Sequence, residues 1–245
     1  MRLIARRLRR PLSRPCRCSL STLLDLSRAP PSFDPKDVVV LPDVISTEGH
    51  DAIVIEANGW VSRRPWETDH WDAVIIGYRE VERSLERWAP ATSSVLTGLQ
   101  RLVDPEKEFL PPHIIDLRED GRIDPHVDSI KFSGGIVSGL SLMSTRVMVL
   151  RNDGEEEQQL AERGEEAGAA GVGEVRLLLP PRSLYVLRGG ARYNMTHEIS
   201  GEDQEWEGIG LIAPSRRVSV MFRDALPAAK QPAPPEMIAD VLAAG

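Results

Sequence analysis

The fold this sequence predicts is mainly β with flanking helices, a double-stranded β-helix or jelly-roll barrel. From His113 onward the chain breaks into seven short β-rich runs, closely spaced by glycine, proline and acidic turns, which is the signature of a sandwich or jelly roll. Gly134, Gly135, Gly139, Gly189 and Gly190 fall where such a sheet needs bulges and tight bends. With 245 residues, 41% of them apolar and 27% charged, the chain has the composition of a globular domain with a sizeable core. No run approaches the roughly 18 apolar residues of a membrane span.

Residues 1–28 stand apart, with eight arginines against one acid, Asp25. On a helical wheel Arg2, Arg6, Arg9 and Arg10 share one side and Ile4, Leu8 and Leu12 another, and serines follow. An Arg-rich, Ser-rich, acid-poor amphipathic start reads as a mitochondrial transit peptide, which sends the protein to the matrix. The alternative is a basic arm or nucleic-acid tail. Without this segment the net charge moves from −7 to −14, unfavourable for sequence-independent binding to a polyphosphate. Both cysteines, Cys16 and Cys18, lie inside it, so a metal in the mature chain must use nitrogen and oxygen ligands.

A Pro-rich linker (29–36) leads to the expected catalytic domain (37–226). Residues 38–41 (VVVL) predict a strand, and Ser46, Thr47 and Glu48 cap a helix running toward Ala57. An aromatic and polar cluster follows, with Trp60, Trp66, His70, Trp71 and Tyr78; the pattern then predicts helices over 80–88 and 92–102. The barrel core (113–224) holds the candidate strands 113–118, 122–130, 139–151, 174–180, 182–189, 191–199 and 216–223. Its acidic, Gly/Ala-rich segment 152–173 reads as a solvated loop, and residues 227–245 as a disordered tail ending in a short helix over 237–242.

The chemistry begins at P-H-V-D-S. His126 and Asp128 are i and i+2 in a candidate strand, so both point to one face. A second histidine would complete a 2-His-1-carboxylate triad, which holds ferrous iron by three ligands and leaves the opposite face open. His197, near the end of a late strand, is the candidate, facing the first two across the barrel mouth. His113 competes but has no carboxylate two residues away and reads as a supporting residue; His50 and His70 precede the barrel and are not expected to ligate. H-x-D alone is a weak signal, equally compatible with surface histidines and a turn aspartate.

R-V-S-V-M-F-R supplies the corroboration. Arg217 and Arg223 are six apart and share a strand face with Ser219 and Met221, while Val218, Val220 and Phe222 face the other way. Two arginines directed into an apolar barrel demand anionic partners, and a dicarboxylate such as 2-oxoglutarate provides them: guanidinium clamps one carboxylate while the keto acid end chelates iron. The other reading makes the apolar trio the core face and leaves the arginines in solvent.

Together, DHWDAVIIGYRE (69–80), DPHVDSIKFSGGIVSGLSL (124–142), SLYVLRGGARYNMTHEI (183–199) and RRVSVMFR (216–223) resemble the AlkB-type Fe(II)/2-oxoglutarate dioxygenases, and most closely their mitochondrial branch, over roughly residues 37–226. The resemblance implies that His126, Asp128 and His197 bind Fe(II), that Arg217 binds the distal carboxylate of 2-oxoglutarate and Arg223 the end nearer the metal, and that Tyr185 adds a hydrogen bond. O2 would be the second cosubstrate. Nucleic-acid-repairing members usually carry an N-x-Y pair upstream of H-x-D and an Asn after the first arginine; Ile115, Leu117 and Ser219 stand there instead. No basic, aromatic-flanked segment marks a nucleotide-recognition lid. The implied activity is hydroxylation of a protein or metabolite in mitochondria, with a role in regulated necrosis and fatty-acid metabolism. Demethylation of mitochondrial RNA, with Lys131 and the Trp66 to Trp71 aromatics at the mouth, is the alternative, and a non-catalytic barrel scaffold the second.

Overall fold

The computed structural model describes residues 23–68, 74–152 and 173–227. A long antiparallel sheet winds into a nearly closed jelly-roll barrel, in the order β1 (Leu24–Arg28), β7 (Glu174–Leu179), β6 (Arg146–Asn152), β9 (Met195–Ile199), β4 (His113–His126), β12 (Arg217–Arg223), β5 (Val137–Leu142), β8 (Leu184–Leu187), β2 (Val38–Leu41), with β3 (Ile75–Glu82) paired to β4. A small hairpin, β10 (Gln204–Trp206) with β11 (Gly210–Ile212), stands apart. Helices α1 (Thr47–Val61) and α2 (Pro90–Val103) cover one outer face, and a single-turn helix, α3 (Gly189–Tyr193), leads into β9.

Strand alternation divides the apolar residues between two cores. On β12, Val218, Val220 and Phe222 pack outward against α1 and α2, meeting Ile53, Ala57, Leu96 and Leu99. Its other face lines the barrel interior, together with Ile115, Met148 and Tyr185. The solvent-facing reading of the arginines is therefore excluded: both faces of this strand are covered, as a strand between a barrel lumen and a helical layer must be.

The sharpest local feature is in β4. Between the pairs Ile76 with Arg122 and Tyr78 with Leu117, β3 contributes one residue while β4 contributes four, so 118–121 loop out as a bulge. Gly77, with φ of +70°, faces it; a Cβ on Gly121 would meet the Gly77 carbonyl at 2.6 Å, so glycine is required at the crossing. Buried Arg146 donates to the carbonyls of Arg118, Glu119, Ser200 and Ser215, fixing the bulge. At this point β4 changes partner, from β12 along 113–117 to β9 along 123–126. The acidic turn that divides the sequence into runs 113–118 and 122–130 is thus a bulge in one strand that moves between the two halves of the barrel.

Several sequence expectations are corrected. Residues 80–88 are not helical: β3 runs to Glu82 and a 3-10 turn covers Leu85–Arg87, because the edge of β4 needs a partner more than this short segment needs a helix. Run 139–151 splits at Met143, whose φ of +70° makes the turn, and run 191–199 begins inside α3. The helix expected over 92–102 spans Pro90–Val103, and α1 starts where Ser46 accepts a capping hydrogen bond from Gly49 N at 3.1 Å. β1 places Leu24–Arg28 in the sheet beside β7, so the folded unit begins ahead of the boundary at residue 37 and includes the end of the segment assigned to the presequence. Residues 1–22, most of the 152–173 loop, and the tail beyond 227 lie outside the described residues.

Candidate metal and cosubstrate site

Strand pairing builds the centre. β9 lies between β6 and β4, and its register sets His197 directly opposite His126, so the two are cross-strand neighbours along one wall and do not face each other across the mouth. Their ring centroids are 4.2 Å apart. β4 ends at His126, and Asp128, just beyond, folds back so that its Oδ1 lies 3.7 Å from His126 Nε2. One ligand atom from each of His126, Asp128 and His197 falls within 4.8 Å of the others, the separation expected when three donors surround one ion.

Hydrogen bonding assigns the histidine tautomer. His126 Nδ1 is 3.0 Å from the carbonyl of Asp124, which only accepts, so Nδ1 carries the proton and Nε2 presents its lone pair toward Asp128. Burial and the adjacent His126 ring push the His197 pKa down to about 4, so at neutral pH this ring is uncharged and free to offer a lone pair. Burial of Asp128 opposes its ionisation, but the adjoining His126 and His197 rings, whenever they are protonated, and the nearby Arg223 guanidinium outweigh it and hold the carboxyl well below the usual range. Its buried Oδ2 has no partner among the described residues. An orphaned carboxylate oxygen beside two imidazole donors fits a divalent cation, with histidine and carboxylate donors suited to iron.

The cosubstrate side occupies the same cavity, of about 400 Å³, which is also lined by Tyr185, Arg217, Ser219 and Arg223. Arg217 is 2% exposed; its Nε donates to Ser141 Oγ at 3.2 Å, and its Nη2 has no acceptor among the described residues. Burial lowers the Arg217 pKa, with the neighbouring Tyr185 opposing, and burial raises Tyr185 to about 12. Tyr185 fits because its cross-strand partner is Gly139: a Cβ there would come within 2.5 Å of the ring. A buried guanidinium with an unused donor is costly unless an anion arrives, and the cavity in front of it leads to the metal ligands.

All six candidate residues therefore line one cavity. Two contributors carried no sequence signal. Arg192, buried in α3, donates to the Asp128 carbonyl at 2.9 Å and to Ser133 Oγ at 3.0 Å, clamping the loop that presents Asp128. Glu80, placed in a helix by the sequence pattern, reaches the cavity wall because β3 is a strand; its Oε2 is 2.7 Å from His113 Nε2, whose Nδ1 is 2.7 Å from Arg223 Nη2. His50 is remote: its Nε2 accepts from Met143 N at 3.2 Å. Trp66 is stacked against Arg79, 4.2 Å from guanidinium to ring centroid, while His70 and Trp71 lie outside the described residues.

A jelly-roll barrel holding two histidines and a carboxylate beside buried arginines is the arrangement of a non-haem iron, keto-acid-dependent oxygenase. Sequence relatives agree. The chain is 39% identical over 202 residues to the mitochondrial α-ketoglutarate-dependent dioxygenase alkB homolog 7 of Mus musculus, covering 82% of this chain and 83% of that one. It is also 39% identical over 199 residues to the Bos taurus protein of the same name, covering 80% and 82%. The chain belongs to this mitochondrial alkB homolog 7 family, and it is an Fe(II)/2-oxoglutarate-dependent dioxygenase that uses O2. No family model matches the chain.

Solved structures add the fold alone. A Pseudomonas putida prolyl-4-hydroxylase superposes with a TM-score of 0.52 at 12% identity, covering 78% of this chain and 94% of that one. A Trichoplax adhaerens prolyl hydroxylase, solved with a hypoxia inducible factor oxygen degradation domain peptide fragment, gives 0.50 at 6% identity, covering 78% and 84%.

Proposed function

We propose that His126, Asp128 and His197 hold Fe(II), that Arg217 and Tyr185 bind the distal carboxylate of 2-oxoglutarate, that Arg223 meets its metal-proximal end, and that the enzyme hydroxylates a protein side chain or a metabolite in the mitochondrial matrix. One observation carries the site assignment: Asp128 Oδ2 and Arg217 Nη2, both buried without a partner among the described residues, belong to the same cavity, where Fe(II) and 2-oxoglutarate would satisfy them together. When bound, Fe(II) supplies the redox chemistry that couples decarboxylation of 2-oxoglutarate by O2 to oxidation of a substrate C–H bond.

The chain's own residues do the rest. Arg217 anchors the distal carboxylate deep in the lumen and so fixes the depth at which the keto acid can reach the triad. Arg223, close enough to Asp128 to favour its ionised form, adds positive charge where the proximal carboxylate would lie. Val74, Ile75, Ile123 and Ile199 wall the remaining space with apolar surface that excludes water.

The arginine-rich start supports import, and β1 supports processing ahead of Leu24, because removing Leu24–Arg28 would strip a paired strand from β7. The roles in regulated necrosis and fatty-acid metabolism implied by the family resemblance form part of the same reading. The RNA alternative is disfavoured by Arg79 covering Trp66 and by the acidic charge of the chain beyond residue 28.

The test incubates iron-loaded enzyme, 2-oxoglutarate and O2 with mitochondrial peptide and metabolite pools and with methylated mitochondrial tRNA. The proposal expects succinate formation with a gain of one oxygen atom on a peptide or metabolite. Formaldehyde from RNA alone would replace it with demethylation, and absence of succinate under every condition would favour a scaffold.

A further inference from the structure

The two upstream positions that hold N-x-Y in the nucleic-acid-repairing relatives are Ile115 and Leu117 here, and neither can hydrogen-bond. Two residues before Ile115 on the same strand face stands His113, and it lines the cavity. Its Nδ1 is 2.7 Å from Arg223 Nη2 and its Nε2 is 2.7 Å from Glu80 Oε2. Arginine only donates, so His113 Nδ1 must accept, and the ring proton sits on Nε2, where it donates to Glu80.

A competitor waits on the other side. Glu82 Oε1, on a largely exposed side chain, is 3.8 Å from the same Arg223 nitrogen. His113, by contrast, is mostly buried. The guanidinium is thus held between a buried neutral acceptor and an outer carboxylate, and an Arg-to-carboxylate bond is intrinsically the stronger of the two. Without His113, the favourable rotamer for Arg223 is the one that closes on Glu82, away from the metal ligands.

We propose that His113, oriented by Glu80, is a positioning residue that holds Arg223 toward the metal-proximal end of 2-oxoglutarate and away from Glu82. The proposal rests on the reading that Arg223 contacts the cosubstrate. It explains how this chain manages without the N-x-Y pair: the polar contact has moved one strand repeat upstream and acts through an arginine.

The test measures 2-oxoglutarate affinity by calorimetry on Mn(II)-loaded protein, which does not turn over, and the KM for 2-oxoglutarate on the iron enzyme. His113→Leu should weaken binding by about 10- to 100-fold, the range typical for loss of a group that orients a site residue, with Mn(II) affinity unchanged. His113→Asn, whose Oδ1 takes the place of Nδ1, should recover most of it. Adding Glu82→Gln to His113→Leu removes the competing carboxylate and should restore part of the loss, which a merely structural histidine would not allow. If His113→Leu fails to fold, Glu80→Leu carries the same expectation from the surface side. Arg223→Met separates the two layers: unchanged affinity in that variant overturns the reading of Arg223 itself. A large loss in Arg223→Met with no loss in His113→Leu or Glu80→Leu, or no restoration by Glu82→Gln, overturns only the positioning role.

Discussion

Replacing Arg217 with methionine should make the empty protein more stable and the enzyme useless. Arg217 is almost wholly buried and, among the described residues, bonds to Ser141 through Nε and leaves Nη2 without an acceptor. A buried polar group left unsatisfied costs about 1–3 kcal/mol. Methionine keeps an aliphatic stem in the lumen beside Tyr185 while removing that cost, so cofactor-free protein should gain about 1–3 kcal/mol. In a fold of this size each kcal/mol moves Tm by about 2–4 °C, so the rise should be about 2–12 °C. The ligand side has the opposite sign. Losing one partner of a buried charge pair costs about 2–5 kcal/mol, which lowers 2-oxoglutarate affinity by about 30- to 5,000-fold. Calorimetric melting with and without 2-oxoglutarate reads both: the ligand should raise wild-type Tm and leave the variant unmoved. A variant that melts lower when empty and binds 2-oxoglutarate normally would refute the assignment of Arg217 as an anion receptor.

Three further outcomes follow from the same geometry. The His197 pKa is depressed from 6.5 to about 4, so below about pH 6.5 the unfolded chain binds a proton that the metal-free native state refuses. Metal-free stability should therefore fall by about 3 kcal/mol as pH drops from 6.5 to 4, followed by melting across that range; a flat profile in this window would contradict the assignment. Arg192→Met releases the Asp128 carbonyl and Ser133, and should lower Fe(II) affinity by about 10- to 100-fold in a competition titration, with Arg192→Lys intermediate. Gly139→Ala forces a Cβ into the Tyr185 ring and should cost about 1–3 kcal/mol in Tm-derived stability, with weaker 2-oxoglutarate binding. Unchanged binding in that variant would remove Tyr185 from the cosubstrate site.

That the candidate metal ligands and arginines come together in one cavity was legible because each carries its own signal: H-x-D spacing, a late histidine, and an even separation of two arginines whose other face is apolar. What the sequence hid depends on tertiary pairing. Glu80 looked helical because 80–88 is polar and charged, yet the free edge of β4 recruits it into β3, and only then does it reach His113. Arg192 gave no hint because a buried arginine and a surface one are spelled alike; its role depends on α3 interrupting what reads as a continuous strand. The placement of His197 beside His126, where the spacing suggested opposite walls, follows from β4 changing partner at its bulge, a non-local event that turn residues mark but do not specify. The early sheet strand at Leu24–Arg28 was masked by the charge bias of the segment that contains it.

The central claim is that one cavity holds a divalent metal on His126, Asp128 and His197 with 2-oxoglutarate anchored on Arg217. Crystals grown anaerobically with Mn(II) and 2-oxoglutarate, and phased for manganese anomalous scattering, test it directly. The expected result is a single strong anomalous peak among those three side chains, with the distal carboxylate of the keto acid against Arg217. A manganese peak elsewhere, or a cosubstrate that leaves Arg217 unpaired, would contradict it.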